Sequence, residues 1–164
     1  MLELILAACI LALDLVTKHL AAAYWTTPVE LIPGVVRLTY LENTGAAWGM
    51  LSGAQVFFII LTVLFCAALV TLVIRNHRGM TKLSKIIASL IFAGALGNLI
   101  DRVFLGYVRD MIEPTFISFP VFNVADSAIV IGTILLAIEV LFIKDNLFAV
   151  VERDIKSIKK KKDE

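Results

Sequence analysis

Residues 56–74 read VFFIILTVLFCAALVTLVI, a run without one charged side chain. A helix rises about 1.5 Å per residue, so this run covers the roughly 30 Å of a bilayer's hydrocarbon core. Three more stretches qualify on either side of it, residues 2–23, 86–105 and 124–143, with polar interruptions in 2–23 and 86–105. The whole chain agrees: 60% of its residues are hydrophobic and 18% charged, and its mean hydropathy is +0.92. These values exclude an ordinary soluble domain.

Charge gives the orientation. Arg75, Arg78, Lys82 and Lys85 crowd the short second connection, and Lys144, Arg153, Lys156 and Lys159 to Lys162 follow the last span. Residues 24–55 hold Arg37 as their one base and residues 106–122 hold Arg109. The positive-inside rule therefore puts both termini and the second connection in the cytoplasm, with the other two connections outside. Every Trp and Tyr (Tyr24, Trp25, Tyr40, Trp48, Tyr107) falls in or beside the outer segments, as expected of rings that favour the membrane interface. The basic tail reads as a solvated run placed to meet anionic lipid. Cys9 and Cys66 lie within spans and read as small apolar filler. Leu6 to Cys9 has too short an apolar stretch before it, and no basic start, to be a cleaved leader, so the first segment reads as a retained helix.

The expected architecture is an all-α membrane protein, four transmembrane helices with a small extracytoplasmic β-rich cap, as one integral membrane domain over residues 1–164. The cap spans about residues 24–55, an outer loop about 106–122, and the cytoplasmic tail 144–164. Within the cap, Val35 to Leu41 is rich in strand-forming residues after Pro33 and Gly34. Simple alternation turns Val36, Leu38 and Tyr40 toward the membrane and Arg37 and Thr39 toward water. In the outer loop, Thr115 to Phe119 reads as a short strand or a membrane-dipping loop.

An ionisable group at mid-bilayer costs about 2.5–3.5 kcal/mol on insertion scales, so each one needs a partner, an interface or a task. Asp14 and Lys18 are four apart on the first helix and read as an ion pair. Gly94, Gly97 and Asp101 share one face of the third, where small residues permit close contact; Asn98 and Arg102 make that helix's outer end polar. Asp110 follows shortly, and Asn123 to Asp126 opens the fourth span, so both acids reach the same outer surface. Two neighbouring carboxyls resist joint ionisation and share a proton, one acting as base and the other as acid, an arrangement suited to activating water against an amide carbonyl. The only histidines are His19 and His77, and neither HExxH nor GxSxG occurs. A Ser–Lys dyad finds no serine beside Lys18. A proton-coupled transporter is disfavoured because, Asp14 aside, the acids cluster outside and the inner half offers no polar relay. A presenilin-type protease would need Gly-x-Gly-Asp within a span, which is absent.

Five segments in order, DLVTK (14–18), ENTGAAW (42–48), GALGNLIDR (94–102), GYVRD (106–110) and FNVAD (122–126), resemble the lipoprotein signal peptidase (signal peptidase II) family of bacterial inner membranes. The resemblance covers nearly the whole chain. It implies a membrane-embedded aspartic endopeptidase that removes the signal peptide from diacylglyceryl-modified prolipoproteins, cleaving just before the lipidated cysteine. It implies Asp110 and Asp126 as the catalytic pair, with Asp14, Lys18, Asn43, Gly97, Asn98, Arg102, Asn123 and Ala125 binding substrate or supporting that pair. The expected partners are the prolipoprotein and membrane lipid, without nucleic acid, cofactor or metal. A monomer is expected, with its active site at the outer face of the inner membrane. Trp48-Gly49 and Met111-Ile112 stand where the family often has Phe-Ser and Phe-Ile, which points to an altered pocket lining.

Overall fold

The computed structural model describes residues 1–45, 50–143, 149, 151–153 and 155–156. Its elements run α1 (Leu2–Tyr24), β1 (Val29–Ile32), β2 (Val36–Asn43), α2 (Gln55–Asn76), α3 (Lys82–Phe104), β3 (Val108–Pro114) and α4 (Val124–Phe142). All four helices are long and apolar enough to cross a membrane. The fold is therefore the expected helical membrane protein with a small antiparallel sheet. Trp48-Gly49 and the run Lys159 to Lys162 lie outside the described residues.

α3 is the central helix and packs against α1, α2 and α4. It starts at Lys82, ahead of the expected residue 86, because Thr81 keeps an extended backbone and its Oγ1 accepts from the Ser84 N–H at 2.9 Å. A cap satisfies an otherwise orphaned N–H, a signal that hydropathy does not see. At its other end Gly106, at φ 81°, turns the chain toward β3, a left-handed conformation that favours glycine. α4 opens with a capping box between Asn123 and Asp126.

The seam between α3 and α4 is tight. A Cβ on Gly94 would strike the Ala125 carbonyl oxygen and stand 2.7 Å from Ile129 Cγ1; one on Gly132 would stand 2.7 Å from Ile91 Cγ1 and 3.1 Å from Leu90 Cβ. Without an apolar driving force in lipid, such close backbone approach is what holds transmembrane helices together.

The sheet has the order β1-β2-β3. β2 pairs with β3 from Val36↔Pro114 to Asn43↔Val108, with a register shift between Leu38 and Leu41. That irregularity breaks the expected alternation: Val36 to Tyr40 are all half-buried, with no clean membrane and water faces. The strand of the outer loop is β3, not Thr115 to Phe119. The ladder with β2 ends at Pro114, after which Thr115 N–H donates to Val35 O at 2.9 Å and the chain turns.

The seam makes a testable distinction. Gly94→Ala must push apart two helix backbones and should cost about 1–3 kcal/mol, seen as a lower thermal unfolding temperature in detergent. Gly132→Ala meets mainly side-chain atoms, which can yield, and should cost less. Unchanged unfolding of Gly94→Ala would refute this packing.

Candidate active site

The sheet and three helices bring the polar residues to one end of the bundle. α3 carries Gly97, Asn98, Asp101 and Arg102, and the Gly106 turn feeds β3, which places Asp110 opposite Leu41 of β2. The loop then doubles back. Met111 and Ile112 N–H both donate to Phe122 O, at 3.0 and 2.8 Å, and Phe122 N–H donates to Ile112 O at 3.0 Å. This closure sets Asn123 beside Asp110, and the first turn of α4 then presents Asp126.

Asp110 is 1% exposed. Its Oδ1 accepts from Asn123 Nδ2 at 2.7 Å and its Oδ2 from Asn43 Nδ2 at 2.9 Å. Asp126 Oδ1 accepts from Asn98 Nδ2 at 2.7 Å and Oδ2 from Asn123 N–H at 3.2 Å. Asn123 thus bonds both acids. Burial, and then the nearby Asp126 carboxylate, push the Asp110 carboxyl up to about 7, against the opposing influence of the Asn43 and Asn123 hydrogen bonds and of Lys18.

Beneath the two acids lies a second polar layer. Lys18 Nζ, with no exposed surface, sits 2.8 Å from Asp14 Oδ2, 2.9 Å from Asn98 Oδ1 and 3.5 Å from Asp101 Oδ2. Asp14 Oδ1 accepts from Ala125 N–H at 2.8 Å. Gly97 leaves the room for this: a Cβ there would lie 2.5 Å from Asp14 Oδ2 and 3.3 Å from Ala125 Cβ. The Asp14–Lys18 pair expected from their spacing is present, and it also ties α1 to α3 and α4.

Asp110, Asp126, Asn43, Asn98 and Arg102 line one cavity of about 580 Å³, whose apolar wall includes Phe119, Phe122, Ile129 and Val130. Asn123 and Ala125 sit behind that surface, fully buried. Arg102 lies over the Phe58 ring at 5.0 Å, and its Nη2 donates to Gly45 O at 3.2 Å. Its Nε is buried without a hydrogen-bond partner. The ten residues singled out in the sequence therefore form two adjoining layers.

Sequence reasoning missed three features. Arg109 grips Asp101 through Nη2 at 2.7 Å, Nε at 3.2 Å and its backbone N–H at 3.0 Å; its being the one base of residues 106–122 was the available signal. Ser127 lines the cavity. At the far end of the bundle, fully buried Glu139 accepts from Ser84 Oγ at 2.5 Å and Thr81 Oγ1 at 3.1 Å. This polar contact between α3 and α4 had no counterpart in the sequence reading. Among the described residues no cluster of His, Cys, Asp and Glu suited to a metal occurs.

Two carboxyls thus stand at the polar floor of an apolar cavity, in a bundle of four helices each long and apolar enough to cross a membrane. The family model describing signal peptidase (SPase) II matches residues 6–142. The lipoprotein signal peptidase of Enterococcus faecalis (strain ATCC 700802 / V583) is 42% identical over 132 residues, 79% of this chain and 81% of that protein. That of Latilactobacillus sakei subsp. sakei (strain 23K) is 47% identical over 111 residues, 68% of this chain and 73% of that one. A bacterial membrane enzyme solved by the in meso method at 2.3 Å resolution superposes with a TM-score of 0.79 at 39% identity, covering 85% of this chain and 87% of its own. The chain belongs to the signal peptidase II family, and is a multi-pass membrane peptidase.

The raised Asp110 carboxyl has a consequence for stability. An acid that keeps its proton in the fold favours folding fully below its ordinary pKa of 3.8, and that contribution is lost as pH rises toward about 7. Relative to Asp110→Asn, which does not titrate, the parent protein should lose about 1.4 kcal/mol per pH unit across that window. Thermal unfolding of both proteins at several pH values checks this; a pH-independent difference would contradict it.

Proposed function

We propose that this chain is an aspartic endopeptidase that removes the signal peptide of diacylglyceryl-modified prolipoproteins, cutting just before the lipidated cysteine, with Asp110 and Asp126 as its catalytic pair. The observation that carries the reading is the pairing itself: two carboxyls sharing Asn123 as a hydrogen-bond partner at the polar floor of an apolar cavity.

Asp110, whose carboxyl is pushed up to about 7, acts as the acid, and Asp126 as the base. Asp126 takes a proton from water as that water attacks the scissile carbonyl, and Asp110 donates to the carbonyl oxygen. The proton gained by Asp126 then passes to the leaving amine as the C–N bond breaks, and a hydroxyl of the tetrahedral carbon returns a proton to Asp110. Arg102 lines the cavity, and its guanidinium offers a donor to the peptide's carbonyls. The apolar wall of Phe119, Phe122, Ile129 and Val130 suits acyl chains and a signal helix, and the relatives' names specify lipoproteins.

Arg75, Arg78, Lys82 and Lys85 argue that the α2–α3 connection is cytoplasmic. The pair then sits at the outer surface, at the depth of a lipid-modified cysteine, and the working unit is a monomer.

Asp110→Asn and Asp126→Asn should each lower cleavage of a diacylglyceryl-modified precursor by about 10²–10⁴-fold in detergent while remaining folded. The pH profile of kcat/KM should fall on its alkaline side near 7, where Asp110 loses its proton. A folded variant with near-normal turnover would overturn the assignment.

A further inference from the structure

Lys18 has a role that its ion pair with Asp14 does not exhaust. An ammonium donates and cannot accept. The Asn98 atom 2.9 Å from Lys18 Nζ is therefore its oxygen, which leaves the amide nitrogen to face Asp126 Oδ1 at 2.7 Å. Asn123 is oriented in the same way from the other side. The Asp126 backbone N–H can only donate, so the Asn123 atom 2.8 Å away is Oδ1, and Asn123 Nδ2 faces Asp110 Oδ1 at 2.7 Å and Asn98 Oδ1 at 3.1 Å. Gly45 N–H likewise claims Asn43 Oδ1 at 2.9 Å and turns Asn43 Nδ2 to Asp110 Oδ2. Each carboxylate oxygen of the pair thus receives a protein N–H, and no oxygen faces an amide acceptor.

Building on the aspartic reading above, we infer that Lys18 is a positioning residue: acting through Asn98, it fixes the amide polarity around Asp126 and confines the pair's shared proton to lone pairs facing the cavity. A turned Asn98 would point its nitrogen at two donors, Lys18 Nζ and Asn123 Nδ2, and its oxygen at Asp126, which would then need a proton on that oxygen. Remove the ammonium and, once Asp126 carries a proton on that oxygen, only the 3.1 Å Asn123 contact opposes the turn. A protonated Asp126 would gain the turned amide oxygen as a partner, which favours its acid form over the base. The charged groups around the pair are Asp14 and Lys18 from α1, Asp101 and Arg102 from α3, and Arg109 from β3, among the described residues. β2 contributes the neutral Asn43.

The test separates donor from charge. Asp14→Asn is introduced first, so that no carboxylate on α1 is left unpaired; Asp101 keeps Arg109. In that background Lys18→Met and Lys18→Gln both remove the charge, but Gln can still donate to Asn98 Oδ1. The acidic limb of the kcat/KM profile, measured on a diacylglyceryl-modified precursor, should move up by about one pH unit in the Met variant, a tenfold loss on the acid side. In the Gln variant it should stay within a few tenths of the Asp14→Asn background. Equal shifts in both would show that Lys18 acts by charge through space and would overturn the relay, as would no shift in either. Should those variants fail to fold, Asn98→Ala alone, which keeps the α1 ion pair, must raise the same limb; an unmoved limb overturns the inference. Turnover by Asp126→Asn would instead sink the aspartic reading along with it.

Discussion

A bilayer interior does not tolerate an unpaired ammonium, and Lys18 has no exposed surface through which to reach water. Its neutralisation depends on Asp14 from its own helix and on Asn98 and Asp101 from α3. The cost of breaking a buried pair by removing one partner is about 3–5 kcal/mol, far more than the pair adds over an apolar equivalent. Such a group therefore specifies geometry more than it stabilises: α1 and α3 can meet in the register that satisfies it, and neighbouring registers strand a charge. Asp14 extends the constraint to α4 through the Ala125 N–H. Three helices are thus indexed to one nitrogen atom.

That indexing works only because the helices come close. Gly97 gives Asp14 the space it occupies, and Gly94 allows the Ala125 carbonyl to lie against α3. The two carboxyls above inherit their positions from this layer. Asn98 bridges it to Asp126, while Asp101, held by Arg109, fixes the start of the strand that carries Asp110. The proposed catalytic pair is positioned by amides and small residues, whose rigid placement outweighs their individual energies.

The sequence revealed what is local. Apolar runs marked the four spans, the spacing of Asp14 and Lys18 marked their pairing, and the order of motifs marked Asp110 and Asp126. What it hid is tertiary or conformational. Lys18 and Asn98 are 80 residues apart, and no periodicity links them. The shift between Leu38 and Leu41 depends on pairing with β3, so alternation along β2 misread which residues face where. Of the two readings of Thr115 to Phe119, the strand fails: pairing with β2, not local composition, selects Val108–Pro114. Glu139 escaped notice because one acid scarcely alters the hydropathy of a span, although Thr81 and Ser84 at the start of α3 form a recognisable cap.

Glu139 also bears on what the bundle can do. It lies roughly 20 Å beyond Asp126 along α4, at about 1.5 Å per residue. Between them the α3–α4 seam is built from Ala128, Ile129, Gly132 and Ile91, apolar groups that offer a proton no place to stop. A polar group at each end with a tight apolar seam between them is the wrong layout for transport, which needs a continuous path. It is the right layout for a clamp. At one end Asp14 holds the first turn of α4; at the other, Ser84 and Thr81 of the capped α3 start hold Glu139, where the positive end of the helix dipole favours an acid. Sliding α4 by one residue would break both at once, so the helix that presents Asp126 is fixed along its axis from both ends.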